Sequence, residues 1–183
     1  MRKLNFAFLF IVFSCACTQS QTQYLPESTV LKIMEAKYDT LRTLLKDSLA
    51  QGIKNINDYS NAFSAEEKFR LDSLIEDFKK QKGLRIVVFS FDSLMTSMDS
   101  VYEVTQIAGT KNRINTTIGF SLTYRAIYIW NDSLINNSVL NQHETKTIID
   151  EKFIPPFRKG DYFKGTFEGI AAIIQRISIN SRN

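Results

Sequence analysis

Histidine and cysteine are almost missing from this chain: His143 is the only histidine, and Cys15 and Cys17 are the only cysteines. A lone histidine excludes a two-histidine metal site within one chain, and no serine–histidine–aspartate grouping has a fitting setting. His143 itself reads as a solvated surface residue. With both cysteines close together near the start, a bond between them would staple nothing, so a disulfide framework is excluded as well. Neither GxGxxG nor GxxxxGK[ST] occurs, which removes the two common phosphate-cradling loops. The sequence shows no internal repeat and no low-complexity tract.

The 183 residues are 44% hydrophobic, enough for one globular domain with a real core. A chain of this size buries roughly two-thirds of its unfolded surface and does not depend on metal or disulfide for stability. The formal charge is +4, but Arg2 and Lys3 lie in an N-terminal segment with the pattern of a secretion signal. Those two residues precede an apolar stretch from Leu4 to Phe13, broken only by Asn5. It is far short of the roughly 20 residues that cross a bilayer. Without residues 1–14 the charge falls to +2, which argues against nucleic acid as a partner.

Val12-Phe13-Ser14-Cys15 resembles a bacterial lipoprotein signal, in the variant with a bulky residue found in Bacteroidetes-type lipoproteins. Cys15 is then the lipidated first mature residue, with Cys17, preceded by the small Ala16, as the alternative. The expectation is a protein of the cell envelope, periplasmic or at the outer membrane, held to a membrane by acyl chains. Residues 15–26 read as a polar tether.

From residue 27 to 52 the apolar positions Val30, Met34, Tyr38, Leu41, Leu45 and Leu49 recur every three or four residues, which predicts one amphipathic helix. It either packs on its own domain or faces a partner. Residues 53–180 carry the main domain. A short strand is expected at Ile53–Asp58. The capping box Ser64-Ala65-Glu66-Glu67 opens a helix whose apolar face is Phe69, Leu71, Leu74, Ile75 and Phe78, closed by Gly83. Leu84–Phe89 is a near-continuous apolar run rich in β-branched residues, the mark of a strand covered on both faces. A helix at about Asp99–Ala108 follows, then a hairpin of Thr116–Leu122 and Arg125–Trp130 joined by Thr123-Tyr124 alone. A polar loop is expected over 131–141 and a helix from about Gln142 to Phe153. Ile154 should leave helical geometry ahead of Pro155, and Asp161 should cap a final helix to Ile179. In that helix Gly165 and Gly169, four apart, permit close approach of a neighbour, and Ile170, Ile173, Ile174 and Ile177 form the buried stripe. The order of elements predicts an α/β fold: a mixed sheet of about four strands sandwiched by helices, preceded by the amphipathic helix.

Two parallel strands at 53–58 and 84–91 would end in Asp58 and Asp92 at the same sheet edge, where open α/β sheets bind ligands. Asp58, Asp92 and Asn57, with backbone carbonyls, are the candidate ligands for a hard cation such as Ca²⁺ or Mg²⁺. Acidic residues also end strands for reasons of turn geometry alone. Asp132 belongs to the opposite edge. Arg125, Arg158 and Lys159 are the cations available to phosphoryl chemistry.

Asn57-Asp58-Tyr59 with Phe63-Ser64, the strand LRIVVFSF, the hairpin with Arg125, and IIDEKFIPPFRKGDYFKGTFEGIAAII together resemble the TPM domain over about residues 53–179. That family includes a plant thylakoid-lumen protein of photosystem II repair, a nematode acetylcholine-receptor accessory protein and many bacterial envelope proteins. The resemblance implies an α/β sandwich. It also implies two activities, acid phosphatase in the plant member and Ca²⁺ or Mg²⁺ binding through loop carboxylates in bacterial members, with Asp58 matching the aspartate after the first strand. The family's Leu-Thr-Asp is here Leu140-Asn141-Gln142, and its glycine-rich loop is replaced by Asn131–Ser138. With a loop carboxylate replaced, the expectation is an envelope accessory module that binds a membrane or envelope protein. A metal-dependent phosphatase is the alternative.

Overall fold

A computed structural model describes residues 53–92 and 98–180. The expected signal, the lipidated cysteine, the tether and the amphipathic helix over 27–52 lie outside the described residues.

Along the chain come β1 (Ile56–Asp58), α1 (Ala65–Lys82), β2 (Ile86–Phe91), α2 (Met98–Asn112), β3 (Thr116–Ser121), β4 (Ala126–Asn131), α3 (Ser133–Ser138), α4 (Gln142–Ile148), a π-helical turn (Ile149–Phe153), α5 (Ile154–Phe157) and α6 (Tyr162–Asn180). The strands form one four-stranded sheet in the order β1-β2-β3-β4. β1 runs parallel to β2 and β2 to β3, while β4 returns antiparallel to β3. This is the mixed α/β sheet the sequence predicts.

Alternation along the central strands sorts the core into two layers. Ile86 and Val88 of β2, with Ile118 and Phe120 of β3, meet Leu71, Ile75 and Phe78 of α1 and Ile170, Ile173 and Ile177 of α6. Val87 and Phe89 face the other way, onto Val101, Val104 and Ala108 of α2. β2 and β3 are buried along their whole length, which explains why their sequences are apolar runs and not alternations. The helices of the two parallel crossovers lie on opposite faces of strands that run in sequence order. The two crossovers therefore have opposite hands, and one departs from the usual right-handed rule.

The predicted caps are present. Ser64 accepts from the Glu67 amide, and the Glu67 carboxylate accepts from the Ser64 amide. Gly83 ends α1 in the left-handed region at φ 69°. Four sequence expectations are corrected. Phe69 does not join the core face of α1 and is 72% exposed. The hairpin turn spans Leu122 to Arg125, with Ser121 paired to Ala126 and Arg125 at φ 48°. The polar segment after β4 contains helix α3, because Asp132 accepts from the Ile135 amide and Ile135 and Leu140 bury their side chains. Helical geometry also runs on through the prolines, with Ile154 at φ −62° and ψ −45°.

That last departure has a physical cause. A proline inside an α-helix clashes with the carbonyl four residues back and lacks the amide to bond it. The π-helical turn widens the helix there, and the Ile154 amide reaches back five residues to Ile149. It also turns Phe153 inward, fully buried against α6. A Cβ on Gly169 would lie 2.0 Å from Phe153 Cε2, and one on Gly165 2.6 Å from Phe157 Cδ1. The two glycines are the notch into which these rings fit. Asp161 then caps α6, accepting from the Lys164 amide at 3.0 Å.

Candidate functional site

β1 and β2 are parallel, and both carboxylates lie toward the same end of the sheet. Register places Asp58 beside Ser90, and Asp92 directly follows β2. Asn57 is paired with Phe89, on the α2 face, while Asp58 shares the face of Ile56 and Val88. Successive residues on a strand point to opposite faces, so Asn57 does not converge with Asp58. The Asn57 side-chain Nδ2 instead donates to the Lys54 carbonyl at 2.8 Å and the Val88 carbonyl at 3.3 Å.

The Asp58 side chain is only 2% exposed. Its Oδ1 accepts from the Ala62 amide at 2.8 Å and from the Ser90 hydroxyl. Its Oδ2 accepts from the Phe63 amide at 3.2 Å and pairs with Lys68 Nζ at 2.9 Å. Ser60 Oγ donates to Ser90 Oγ at 2.8 Å and extends the chain of hydroxyls. Asn61, inside the turn, takes φ 53°, a conformation that asparagine tolerates. Burial acts to raise the Asp58 pKa, but the Ser90 hydroxyl, the Lys68 ammonium and the two backbone amides outweigh it and hold the carboxyl below its ordinary value. Asp58 is thus the hub of the β1–α1 turn, joining β2 to the start of α1.

A hard cation takes oxygen ligands and needs their lone pairs free to point at it. Around Asp58 the neighbours are amides, a hydroxyl and an ammonium, all donating. Among the described residues no three histidine, cysteine, aspartate or glutamate side chains group closely enough to hold a metal ion. As arranged, the described residues around Asp58 do not fit Ca²⁺ or Mg²⁺. Arg125, Arg158 and Lys159 are all exposed, the first in the hairpin turn and the others after α5. His143 is exposed on the first turn of α4.

Sequence reasoning missed the partners of Asp58. Ser90 was legible as the one polar residue within an apolar strand run, a position that demands a hydrogen bond. Lys68 carried no such signal.

It also missed a cleft of about 390 Å³ at the other side of the sheet, beside the edge strand β4. Tyr102 and Gln106 of α2 form one wall, and Gln142, Thr145, Lys146 and Ile149 the other, with Ile129, Trp130 and Asn131 of β4 between them. Asn131 is fixed there, accepting from Thr116 Oγ1 at 2.9 Å and donating to Thr145 Oγ1 at 3.1 Å. Trp130 packs on α2, where Gly109 leaves the room: a Cβ there would lie 2.2 Å from the indole.

A family model described as the TPM domain matches residues 56–176, about two-thirds of the chain and nearly all of the described fold. The chain belongs to the TPM-domain family. None of the curated proteins matches it. Among solved structures, this TPM domain is similar to the N-terminal domain of a protein from P. gingivalis, at 18% identity and a TM-score of 0.61, covering 72% of this chain and 86% of that one. It is also similar to the BA42 protein from the psychrophilic bacterium Bizionia argentinensis, at 18% identity and TM-score 0.51, over 67% of this chain and 86% of that one. The N-terminal domain of a Corynebacterium glutamicum protein aligns at 15% identity and TM-score 0.53, over 69% and 81%. At these identities the likeness carries the fold, and the TPM domain's site has to be argued from its own residues. Among those described, no helix is long and apolar enough to cross a membrane.

Proposed function

We propose that this TPM domain is an accessory binding module of the bacterial cell envelope, held to a membrane by a lipid on Cys15, or on Cys17, and engaging another membrane or envelope protein. The observation that carries this reading is the state of Asp58. Its two oxygens accept from Ser90, Ala62, Phe63 and Lys68, so the carboxylate that matches the family's metal loop serves the fold. The second loop position that the resemblance assigns to a carboxylate is Gln142, an exposed neutral amide. Removing a charged ligand lowers affinity for a divalent cation. Phosphoryl transfer in turn needs metal or clustered cations at the developing charge. The anchor, the tether and the amphipathic segment before residue 53 suit a module that reaches for a partner near a membrane surface.

The alternative is a divalent-metal-dependent phosphatase. In its favour, Asp58 and Asp92 lie toward the same sheet edge. It requires Asp58 to exchange the Lys68 ammonium for a metal ion. Incubating the purified chain with p-nitrophenyl phosphate in millimolar Ca²⁺ or Mg²⁺ tests the choice. The binding reading predicts no turnover above that of the free metal ions. Turnover that Asp58→Asn abolishes would establish the phosphatase instead.

A further inference from the structure

We propose that the open edge of β4 receives an extended peptide from the partner protein, added as a fifth strand, with an acidic group of that peptide at Lys146. This rests on the binding-module reading and names the chemistry of what is bound.

The backbone supplies the first argument. The Asp132 amide donates to the Asn115 carbonyl at 2.9 Å, and these two residues continue the register of the β3–β4 pair. Hydrogen-bonded pairs alternate along an antiparallel ladder, so Ala126, Tyr128 and Trp130 point their backbone groups at β3. Ile127, Ile129 and Asn131 point theirs outward, and no hydrogen bond from those outward groups reaches the described residues. The free donors and acceptors thus repeat every second residue, a spacing that an extended polypeptide matches and a globular surface or a sugar ring does not.

Strand β4 itself also lacks the devices that blunt an edge from within. Sheet proteins blunt an edge with charge, proline or a bulge. Ala126–Asn131 reads AIYIWN, with no charged residue and no proline, and pairs with β3 in unbroken register. The central strands are fully buried, whereas Ile127, Tyr128, Ile129 and Trp130 are half-buried.

The cleft gives the added strand its walls and its polarity. Adjacent strands lie about 4.8 Å apart, and the cleft beside β4 is lined by α2 on one side and by α4 on the other, so the new strand enters between them. Side chains of alternating direction would meet Tyr102 and Gln106 on one side and Gln142, Lys146 and Ile149 on the other. The side-chain amides of Gln106, Asn136 and Gln142 make no hydrogen bond to the described residues. Among the described residues Lys146 is the sole charged one lining the cleft, and its side chain is 72% exposed. It pairs with Asp150 one helical turn away. Such a surface pair is weak, and an ammonium has three donors to share. A carboxylate of the peptide, from a side chain or the C-terminus, complements this charge.

The test pans a display library of random heptapeptides on the purified full chain, then titrates the enriched peptides as synthetic probes. Enrichment of acidic peptides that slow hydrogen exchange at the amides of Ile127, Ile129 and Asn131 is the expected result. Ile129→Pro removes one outward amide without touching the β3 ladder and should weaken binding at least tenfold. Lys146→Glu, at an exposed helix position that leaves the fold intact, should weaken it several-fold, so the proposal stays testable if the proline variant fails to fold. No enrichment, binding indifferent to Lys146→Glu, protection elsewhere in the chain, or binding of a chitooligosaccharide in place of peptides would overturn it. Those failures without metal-dependent phosphatase turnover leave the binding-module reading standing on another surface, whereas such turnover removes that reading itself.

Discussion

Lys68 Nζ sits 2.9 Å from Asp58 Oδ2, and that carboxylate also holds the Ala62 and Phe63 amides and the Ser90 hydroxyl. One buried side chain thereby ties the end of β1 to the first turn of α1 and to β2. The position that the family resemblance assigns to metal is, in this fold, a clamp made of donors.

The clamp has a pH signature. The folded-state pKa of Asp58 lies below its unfolded value, so the stability it contributes is fully present above the unfolded pKa. That contribution is lost as pH falls through the lowered folded pKa. Acid titrations of thermal unfolding should therefore show a steep loss of stability below the ordinary carboxylate range, and Asp58→Asn should flatten that limb. At neutral pH the same substitution should cost about 2–3 kcal/mol, since hydrogen bonds to a charged group are lost and buried donors are left short of a partner. An acid limb unchanged in Asp58→Asn would remove the clamp from the account.

The notch in α6 predicts a second outcome. Alanine is normally better than glycine in a helix by about 1 kcal/mol. At position 169 its methyl would lie 2.0 Å from a ring carbon of the fully buried Phe153. Overpacking of this kind costs about 1–3 kcal/mol or more, so Gly169→Ala should destabilise despite its helix propensity. Phe153→Leu in the same chain should recover part of the loss, which denaturant midpoints for the single and double variants would register.

How much of this was legible beforehand follows from which forces act locally. The caps at Ser64 and Asp161 and the stop at Gly83 are short-range hydrogen-bond devices, and the sequence states them outright. The buried strands announce themselves as apolar runs. The continuation of helix through Pro155 was not legible, because it depends on a widened turn that brings Phe153 against Gly169, a contact between segments sixteen residues apart. The role of Asp58 was half-legible: its place at the sheet edge follows from parallel pairing, whereas its partners Ser90 and Lys68 arrive from other elements. The β4 cleft was illegible for the same reason, being assembled from three helices, the π-helical turn and an edge that no single segment contains.

The proposed anchor predicts its own outcome. In a bacterial host that processes lipoproteins, the wild-type chain should fractionate with membranes and incorporate labelled fatty acid. Cys15→Ser should release it to the soluble fraction, while Cys17→Ser should leave it bound. Label retained in Cys15→Ser but lost in Cys17→Ser would shift the acylation to the second cysteine. Absence of label from wild type would remove the anchor.

The most direct test of the central claim is a Ca²⁺ and Mg²⁺ titration followed by the amide NMR signals of Ala62 and Phe63, the two backbone groups that read the state of the Asp58 carboxylate. An Asp58 engaged by its own fold predicts that both signals stay in place through millimolar cation. Saturable shifts of those two amides, absent in Asp58→Asn, would contradict the account.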